Sequence, residues 1–360
     1  MKRIKILIII TIILTLTSCY DNKELNKIAI VTMTEINKKD DYFTIKVAIA
    51  NSKKQSDKKY TIYEGKGKTI QDAYRQIKLT SSKYIYPEHL ELLIIDEDLA
   101  KKNINEILDF YLRNPIVRTE FYVIIGKKEN ILNNKSNINI KGILKSNNKY
   151  QGISNIVTFN DFTNMKLNPN TEIILPSITI DDNKQYKLSG LGIFKSNRLL
   201  GYLTNDESIA YNIIKNNTTN TIINYQCKNN KYLSIEITQS KSKIKVKNNS
   251  INIDLNISAN INESNCDIDL SNEYELNELK YKLEQYLNKK LKENIDKIKN
   301  EYNSDVFGFL DEIYKHDYNN YLKLKNNWYS EAFKTIPINI KTKIDIVGKG
   351  NIMENINEKN

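Results

Sequence analysis

Apolar and polar positions alternate along this chain at two periods, and the period assigns each element. Ile28 to Ile36 and Tyr42 to Ala50 are apolar-rich runs separated by Asn37-Lys38-Lys39-Asp40-Asp41, which predicts a hairpin. Tyr60 to Gly65 predicts a third strand. Thr69 then precedes Ile70, Ala73, Tyr74 and Ile77, spaced at i, i+3, i+4 and i+7, with Asp72 placed where a carboxylate favours a helix start. Leu90 to Ile95 predicts a short buried strand. A helix begins at Asn103 with Glu106 three residues on, carries Ile104, Ile107, Leu108, Tyr111 and Leu112 as its stripe, and ends at Pro115. Phe121 to Ile125 closes this unit as a strand.

From Lys128 to Lys149 the sequence is polar and Asn-rich, which predicts loop and short helix. Glu172 to Ile180 is a strand interrupted by Pro176, suiting an edge position or a bend. Leu188 to Phe194 and Arg198 to Leu203 flank Lys195-Ser196-Asn197 as a hairpin, and Thr204 with Glu207 forms a capping box for a helix. In the next long strand Ile251, Ile253, Leu255, Ile257 and Ala259 alternate strictly with polar residues. Like Lys241 to Lys247 before it, this strand buries one face, and that predicts an antiparallel sheet with the other face wet. Leu276, Leu279, Leu283, Tyr286, Leu287, Leu291, Ile295 and Ile298 form a long helical stripe, read as packing on the neighbouring sheet. A further helix restarts at Ser304-Asp305, and Ile336 to Ile346 alternate in a final strand. The sum is an α+β fold of mixed or antiparallel sheets covered by helices, in two to three domains.

The first nineteen residues, MKRIKILIIITIILTLTSC, follow a different logic. Lys2, Arg3 and Lys5 precede the apolar run Ile6 to Thr17, and small residues stand before Cys19, the pattern of a secretory signal. Twelve mostly apolar residues are too few to span a bilayer core of ~30 Å. The ending Leu16-Thr17-Ser18-Cys19 resembles the lipobox of bacterial lipoproteins, which implies a diacylglyceryl thioether on Cys19 and cleavage after Ser18. The expected divisions are residues 1–18 as signal, 19–187 as an N-terminal α/β domain and 188–360 as a C-terminal α+β domain, with a further division near 270 as the alternative.

Composition narrows the chemistry. The 360 residues are 40% hydrophobic and 27% charged, with a net charge of +11 spread as single lysines among Asp and Glu. That pattern suits a solvated surface near anionic headgroups better than a nucleic-acid groove. Histidine occurs only at His89 and His316, so neither a zinc site nor a His-assisted nucleophile can be assembled, and no catalytic, metal or cofactor residue is assigned. The glycines at Gly65, Gly67, Gly190, Gly192 and Gly201 match neither a P-loop nor a dinucleotide fingerprint. Cys227 and Cys266 are read as unpaired core residues, a disulfide being the alternative that an oxidising compartment allows.

Several segments, in order, resemble the Ger(x)C family, the lipoprotein C subunits of bacterial spore germinant receptors. Cys19-Tyr20-Asp21-Asn22-Lys23-Glu24-Leu25 is similar to its Cys-Trp-Asp-x-Arg-Glu-Leu pattern, with Tyr for Trp and Lys for Arg. Ser81-Ser82-Lys83 leading into Tyr84-Ile85-Tyr86-Pro87-Glu88-His89, Leu108 to Pro115, and Leu188-Ser189-Gly190-Leu191-Gly192 look like further family blocks. So do Asn303-Ser304-Asp305-Val306-Phe307-Gly308-Phe309 and Asn327-Trp328-Tyr329. The resemblance implies a non-enzymatic subunit anchored through Cys19 on the outer face of the spore inner membrane, and needed for receptor assembly and nutrient-triggered germination. Its partners would be the integral membrane A and B subunits, with no nucleic acid and no cofactor. Asp21, Glu24, Leu25, Asp305, Phe307 and Trp328 are candidate interface residues; Asp21 and Glu24 read equally as solvated linker, and packing is the preferred role for Phe307 and Trp328. A solute-binding lipoprotein of a membrane transporter is the alternative, and a lipid-anchored hydrolase the third.

Overall fold

The computed structural model describes residues 27–51, 59–114, 117–127, 130–133, 139–218 and 220–349. Strands β1 (Ile28–Lys39) and β2 (Tyr42–Ala50) form the expected hairpin. Its turn is tight: Asp40 and Asp41 both hold positive φ, 48° and 62°, a two-residue turn whose twist matches the flanking strands. β3 (Tyr60–Gly67) pairs with β2, and helix α1 (Ile70–Thr80) packs back on it. Thr69 Oγ1 accepts the Asp72 N–H at 3.1 Å, and Ile70, Ala73, Tyr74 and Ile77 are the buried stripe. β4 (Tyr84–Tyr86) and β5 (Leu92–Asp96) both run parallel to β1.

Two helices occupy the region where one was expected. α2 (Glu97–Lys102) starts because the Asp96 carboxylate accepts the Asp98 N–H at 3.0 Å; α3 (Asn105–Arg113) starts where Asn103 accepts the Asn105 N–H at 2.9 Å. Leu112, expected in the stripe of α3, is 53% exposed, whereas Ile104, Ile107, Leu108 and Tyr111 are buried. β6 (Tyr122–Gly126), α4 (Ile140–Tyr150) and α5 (Phe159–Leu167) follow, and then β7 (Ile174–Ile180), β8 (Tyr186–Lys195) and β9 (Arg198–Tyr202).

Strands β1 to β9 build one sheet in the order β3-β2-β1-β5-β6-β7-β8-β9, with β4 beside β1. β7 is therefore an interior strand, not an edge. The missing N–H of Pro176 is absorbed where the β7–β8 register slips between Pro176 and Ile178, the bend that the proline allowed for. The division expected between residues 187 and 188 falls inside β8, because the β8–β9 hairpin extends the first sheet.

Beyond it, α6 (Asn205–Ile214) begins with the Thr204–Glu207 capping box. β10 (Thr221–Gln226), β11 (Tyr232–Lys247) and β12 (Ser250–Ser264) are antiparallel. α7 (Glu273–Lys297), α8 (Phe309–His316), α9 (Tyr318–Leu324) and the single turn α10 (Phe333–Thr335) lead to β13 (Ile338–Gly348). β11 and β12 are antiparallel as expected, and β13 pairs parallel to β12, so the second sheet is mixed; the intervening helices supply the crossover that a parallel pair requires. Leu276, Leu279, Leu283, Leu287, Leu291 and Ile295 of α7 are buried in one hydrophobic cluster with the inward residues of β11, β12 and β13, each contributing roughly 1.5–3 kcal/mol by burial. The same helix closes the open edge of β13: Asn288 Oδ1 accepts the Thr342 N–H at 3.1 Å and Glu284 accepts the Ile344 N–H at 2.9 Å. The mixed α+β fold read from the sequence is thus the fold of the chain.

Cys227 and Cys266 form a disulfide, which corrects their reading as unpaired. They follow β10 and β12, the two strands that flank β11, and their Cα atoms lie 6.0 Å apart, within bridging distance. The sequence separation of 39 corresponds to about 3–4 kcal/mol of denatured-state entropy. Cys266→Ala is expected to lower unfolding stability by that amount. Cys227→Ala should cost the same, and the double variant no more than either single one. Native and reduced protein sharing one urea midpoint would show that the bridge contributes nothing.

Candidate functional site

Two constellations concentrate the polar and aromatic chemistry of the described residues. The first is an open cleft of about 790 Å³ in the N-terminal half, framed by α1, α3, β4 and the turn Pro87–His89. Phe43, Tyr74, Ile85 and Tyr111 line its depth; Lys78, Tyr84, Glu88 and Arg113 stand among its outer residues. The floor is rigid because its rings interlock. Tyr74 stacks on Phe110 at 5.6 Å, Phe110 meets Tyr111 edge-on at 5.0 Å, and Tyr111 continues to Phe121 at 5.1 Å. A chain of hydroxyls runs beneath them, Thr34 to Tyr74 at 3.1 Å and Tyr74 to Tyr111 at 3.5 Å, and burial pushes both phenols upward from their ordinary range.

Three charged residues of the cleft lining are ion-paired: Glu106 with Lys38 at 2.7 Å, and Arg113 with Asp109 at 2.8 Å. The cleft offers an apolar aromatic bed and flanking charges, the makings of a binding surface. Its lining contains Tyr84 to Glu88, the block singled out in the sequence, with Tyr86 donating its hydroxyl to Glu88.

The second constellation surrounds Asp305, and it is internal. Asp305 and Phe307 are fully buried and Trp328 is 1% exposed: Phe307 and Trp328 take the packing role favoured for them in the sequence, and Asp305 lies in the core beside them. The Asp305 carboxylate accepts the N–H groups of Phe309 and Leu310, both at 2.9 Å, which caps α8; Trp328 Nε1 donates to it at 3.2 Å. Burial raises its pKa to about 6 despite these donors and the nearby ammonium of Lys215. Gly308 turns the chain into α8 at φ 70°, a left-handed conformation suited to glycine. Phe307 packs on Tyr211 at 5.3 Å and stacks on Phe309 at 5.1 Å, while its carbonyl accepts Lys215 Nζ at 2.9 Å.

The same segment stitches the two halves together. The Glu172 N–H donates to the Asp305 carbonyl at 3.1 Å, Ser304 donates its hydroxyl to the Phe194 carbonyl, and Asn168 donates to Asp311 at 3.0 Å. What reads in sequence as a recognition motif works in the fold as the junction between the first sheet and the second.

The remaining sequence candidates, Cys19, Asp21, Glu24 and Leu25, lie outside the described residues. Sequence reasoning missed a buried pair on the first sheet. Glu35 and Lys46 face each other across β1 and β2, 4% and 5% exposed, and Glu35 accepts the N–H groups of Ile131 and Leu132 at 2.8 and 3.1 Å. Desolvation raises the Glu35 pKa, and Lys46 reaches Asn130 above it. Glycines noted in the sequence serve close packing: a Cβ on Gly190, whose φ is 83°, would lie 2.0 Å from the Leu203 carbonyl oxygen. Among the described residues there is no group of three or more His, Cys, Asp or Glu able to hold a metal, and no helix long and apolar enough to cross a membrane.

With this geometry in place, comparison with known proteins gives a consistent picture. Residues 21–180 match the family model described as spore germination protein N-terminal domain. Residues 189–350 match the one described as spore germination B3/GerAC like, C-terminal. Spore germination protein KC of Bacillus subtilis (strain 168) is 25% identical, with 91% of each chain covered. Putative spore germination protein YfkR of the same organism is 24% identical over 222 residues; the match covers 55% of this chain and 57% of that protein. The crystal structure of the GerBC protein is similar in fold, with a TM-score of 0.57 at 18% identity, covering 87% of this chain and 96% of that one.

Proposed function

The chain belongs to the GerAC-like family of spore germination proteins, and from that premise we propose that it is the lipid-anchored, non-catalytic subunit of a germinant receptor. In this reading Cys19 carries the lipid, the body lies on the outer face of the spore inner membrane, and the work of the subunit is to assemble with integral membrane A and B subunits so that nutrient triggers germination. The observation that carries it is placement. The two family segments cover residues 21–180 and 189–350 in order, so the matched body begins two residues after the lipobox cysteine, as a tethered protein with a short linker should.

A transporter's solute-binding lipoprotein would hold its ligand between two lobes. The cleft described above is built within the first sheet and its own helices, and the two halves are joined through Asp305, which favours the subunit reading. The test is capture of the affinity-tagged chain, at native expression, from detergent-solubilised spore membranes. Co-elution of the polytopic receptor subunits and loss of nutrient response on deletion are expected. Tight, specific amino-acid uptake by the chain itself, with deletion leaving germination intact, would replace this reading with the transporter one.

A further inference from the structure

The outer face of the second sheet is the strongest feature that the proposed function leaves unused. Along β11, Lys241, Lys243, Lys245 and Lys247 occupy every second position and are exposed, while Ile244 and Val246 between them pack toward the core. On β13, Lys341 and Lys343 do the same. Register places these rows side by side: Lys243, Asp254 and Lys341 align across three strands, as do Lys241, Asn256 and Lys343. Adjacent strands lie ~4.8 Å apart, so the two lysine rows run ~10 Å from each other across a middle strand that is largely neutral. Asp254 and Asp345 are the acids among these rows, and Asp254 is engaged by Lys245 at 2.6 Å.

We infer that this face is a docking surface for an anionic lipid bilayer, with the lysines of β11 and β13 lying against the headgroups. The inference rests on reading the chain as membrane-tethered, and it adds which side of the body the membrane meets. Three features favour lipid over other anionic partners. The cations are all lysine, compact hydrated point charges suited to a diffuse negative surface, with no arginine fork for bidentate recognition. No aromatic side chain interrupts the outward positions of β11 from Gln239 to Lys247 or of β13 from Asn339 to Asp345, so there is no platform on which bases would stack. The charges are spread over a sheet surface, as a planar partner requires, instead of converging on one point.

The test uses residues 20–360, which retain every described residue and lack Cys19, so that acyl chains play no part. Co-sedimentation is measured with vesicles of phosphatidylcholine alone and of phosphatidylcholine mixed with phosphatidylglycerol. Binding is expected only to the anionic vesicles at ~0.1 M salt, and it should collapse at ~1 M, where the Debye length falls from ~10 Å to ~3 Å. The variant Lys241→Gln/Lys243→Gln/Lys341→Gln/Lys343→Gln should bind at least about tenfold more weakly, since each lysine near an anionic surface contributes severalfold. A control with the same charge loss elsewhere, Lys39→Gln/Lys102→Gln/Lys289→Gln/Lys323→Gln, should bind nearly as the parent does. Equal weakening in both variants, equal binding to neutral vesicles, or no binding at all would overturn the assignment. Tighter retention by immobilised polyglutamate than by anionic vesicles would overturn it in favour of an acidic protein partner. Because Cys19 is absent throughout, none of these results bears on the lipid anchor.

Discussion

Asp305→Ala is expected to cost about 3–5 kcal/mol of unfolding stability, a large share of the ~5–15 kcal/mol that holds a typical folded protein. The carboxylate is fully buried and satisfies three donors, from Phe309, Leu310 and Trp328, none of which has water at hand when it goes. Each stranded buried donor costs roughly 1–3 kcal/mol. Alanine also uncaps α8 and loosens the segment whose Asp305 carbonyl receives the Glu172 N–H, so both sheets feel the change. Urea unfolding followed by Trp328 fluorescence reads this directly, because the indole is itself one of the donors. An Asp305→Ala protein with the parent's midpoint would show that the carboxylate is no keystone.

The same residue predicts a pH dependence. Burial raises the Asp305 pKa from 3.8 to about 6, so between those values the folded chain holds a proton that the unfolded chain has released. Stability from this group is therefore complete below pH ~4, is lost as pH rises toward ~6, and is constant above; the span corresponds to about 3 kcal/mol. Glu35 and Glu172 are also raised by burial and slope the same way, so the comparison must be with Asp305→Asn, which keeps both of them and lacks the titration. Relative to Asp305→Asn, the parent should lose stability from pH 4 to 6. Parallel curves would mean that the carboxylate is ionised throughout.

How far the sequence revealed this molecule depended on whether the signal was local. The cap at Thr69, the capping box at Thr204 and Glu207, and the stripe of α7 each need only neighbours in the chain, and each is found where periodicity placed it. α5 escaped although Thr158 and Asp161 form a capping box, because only Phe159, Phe162 and Thr163 of its nine residues are buried and no long stripe announces it. Pairing across distance was less legible. Parallel β13, interior β7 and the Cys227–Cys266 bridge all depend on which strands become neighbours, information that no single segment carries.

The sites divide in the same way. Asp305, Phe307 and Trp328 were visible as a motif, but a carboxylate that caps a helix four residues on looks, in one dimension, the same as one that faces a partner. Glu35 and Lys46 were invisible, since a polar residue at an alternate strand position normally means a wet face. The segment Asn130–Asn133 folds over them and helps make that face dry, in one apolar cluster with Ile140 and Leu144 of α4. The cleft needed α1 and α3 brought together around Tyr74 and Tyr111, which lie 37 residues apart.

Cys19→Ala is expected to have the largest effect on function while leaving the fold untouched. Both sheets are built from strands that begin at Ile28 and end at Gly348, downstream of Cys19 in the chain. In the function proposed above, what the substitution removes is the tether. Two acyl chains, at ~0.8 kcal/mol for each buried CH₂, hold a protein at a membrane where one chain does not. A short linker then raises the local concentration of a membrane partner to the millimolar range, so a weak interface stays occupied. On the inference above, the basic face of β11 and β13 alone would give salt-sensitive, reversible contact, too weak to replace the proposed anchor at ordinary ionic strength. Spores carrying Cys19→Ala at native expression should therefore release the chain from washed membranes and respond to nutrient far more slowly, while the purified protein keeps the parent's unfolding midpoint. Normal membrane retention and a normal germination rate in those spores would show that the protein interfaces suffice by themselves, and the anchored-subunit mechanism would have to be abandoned.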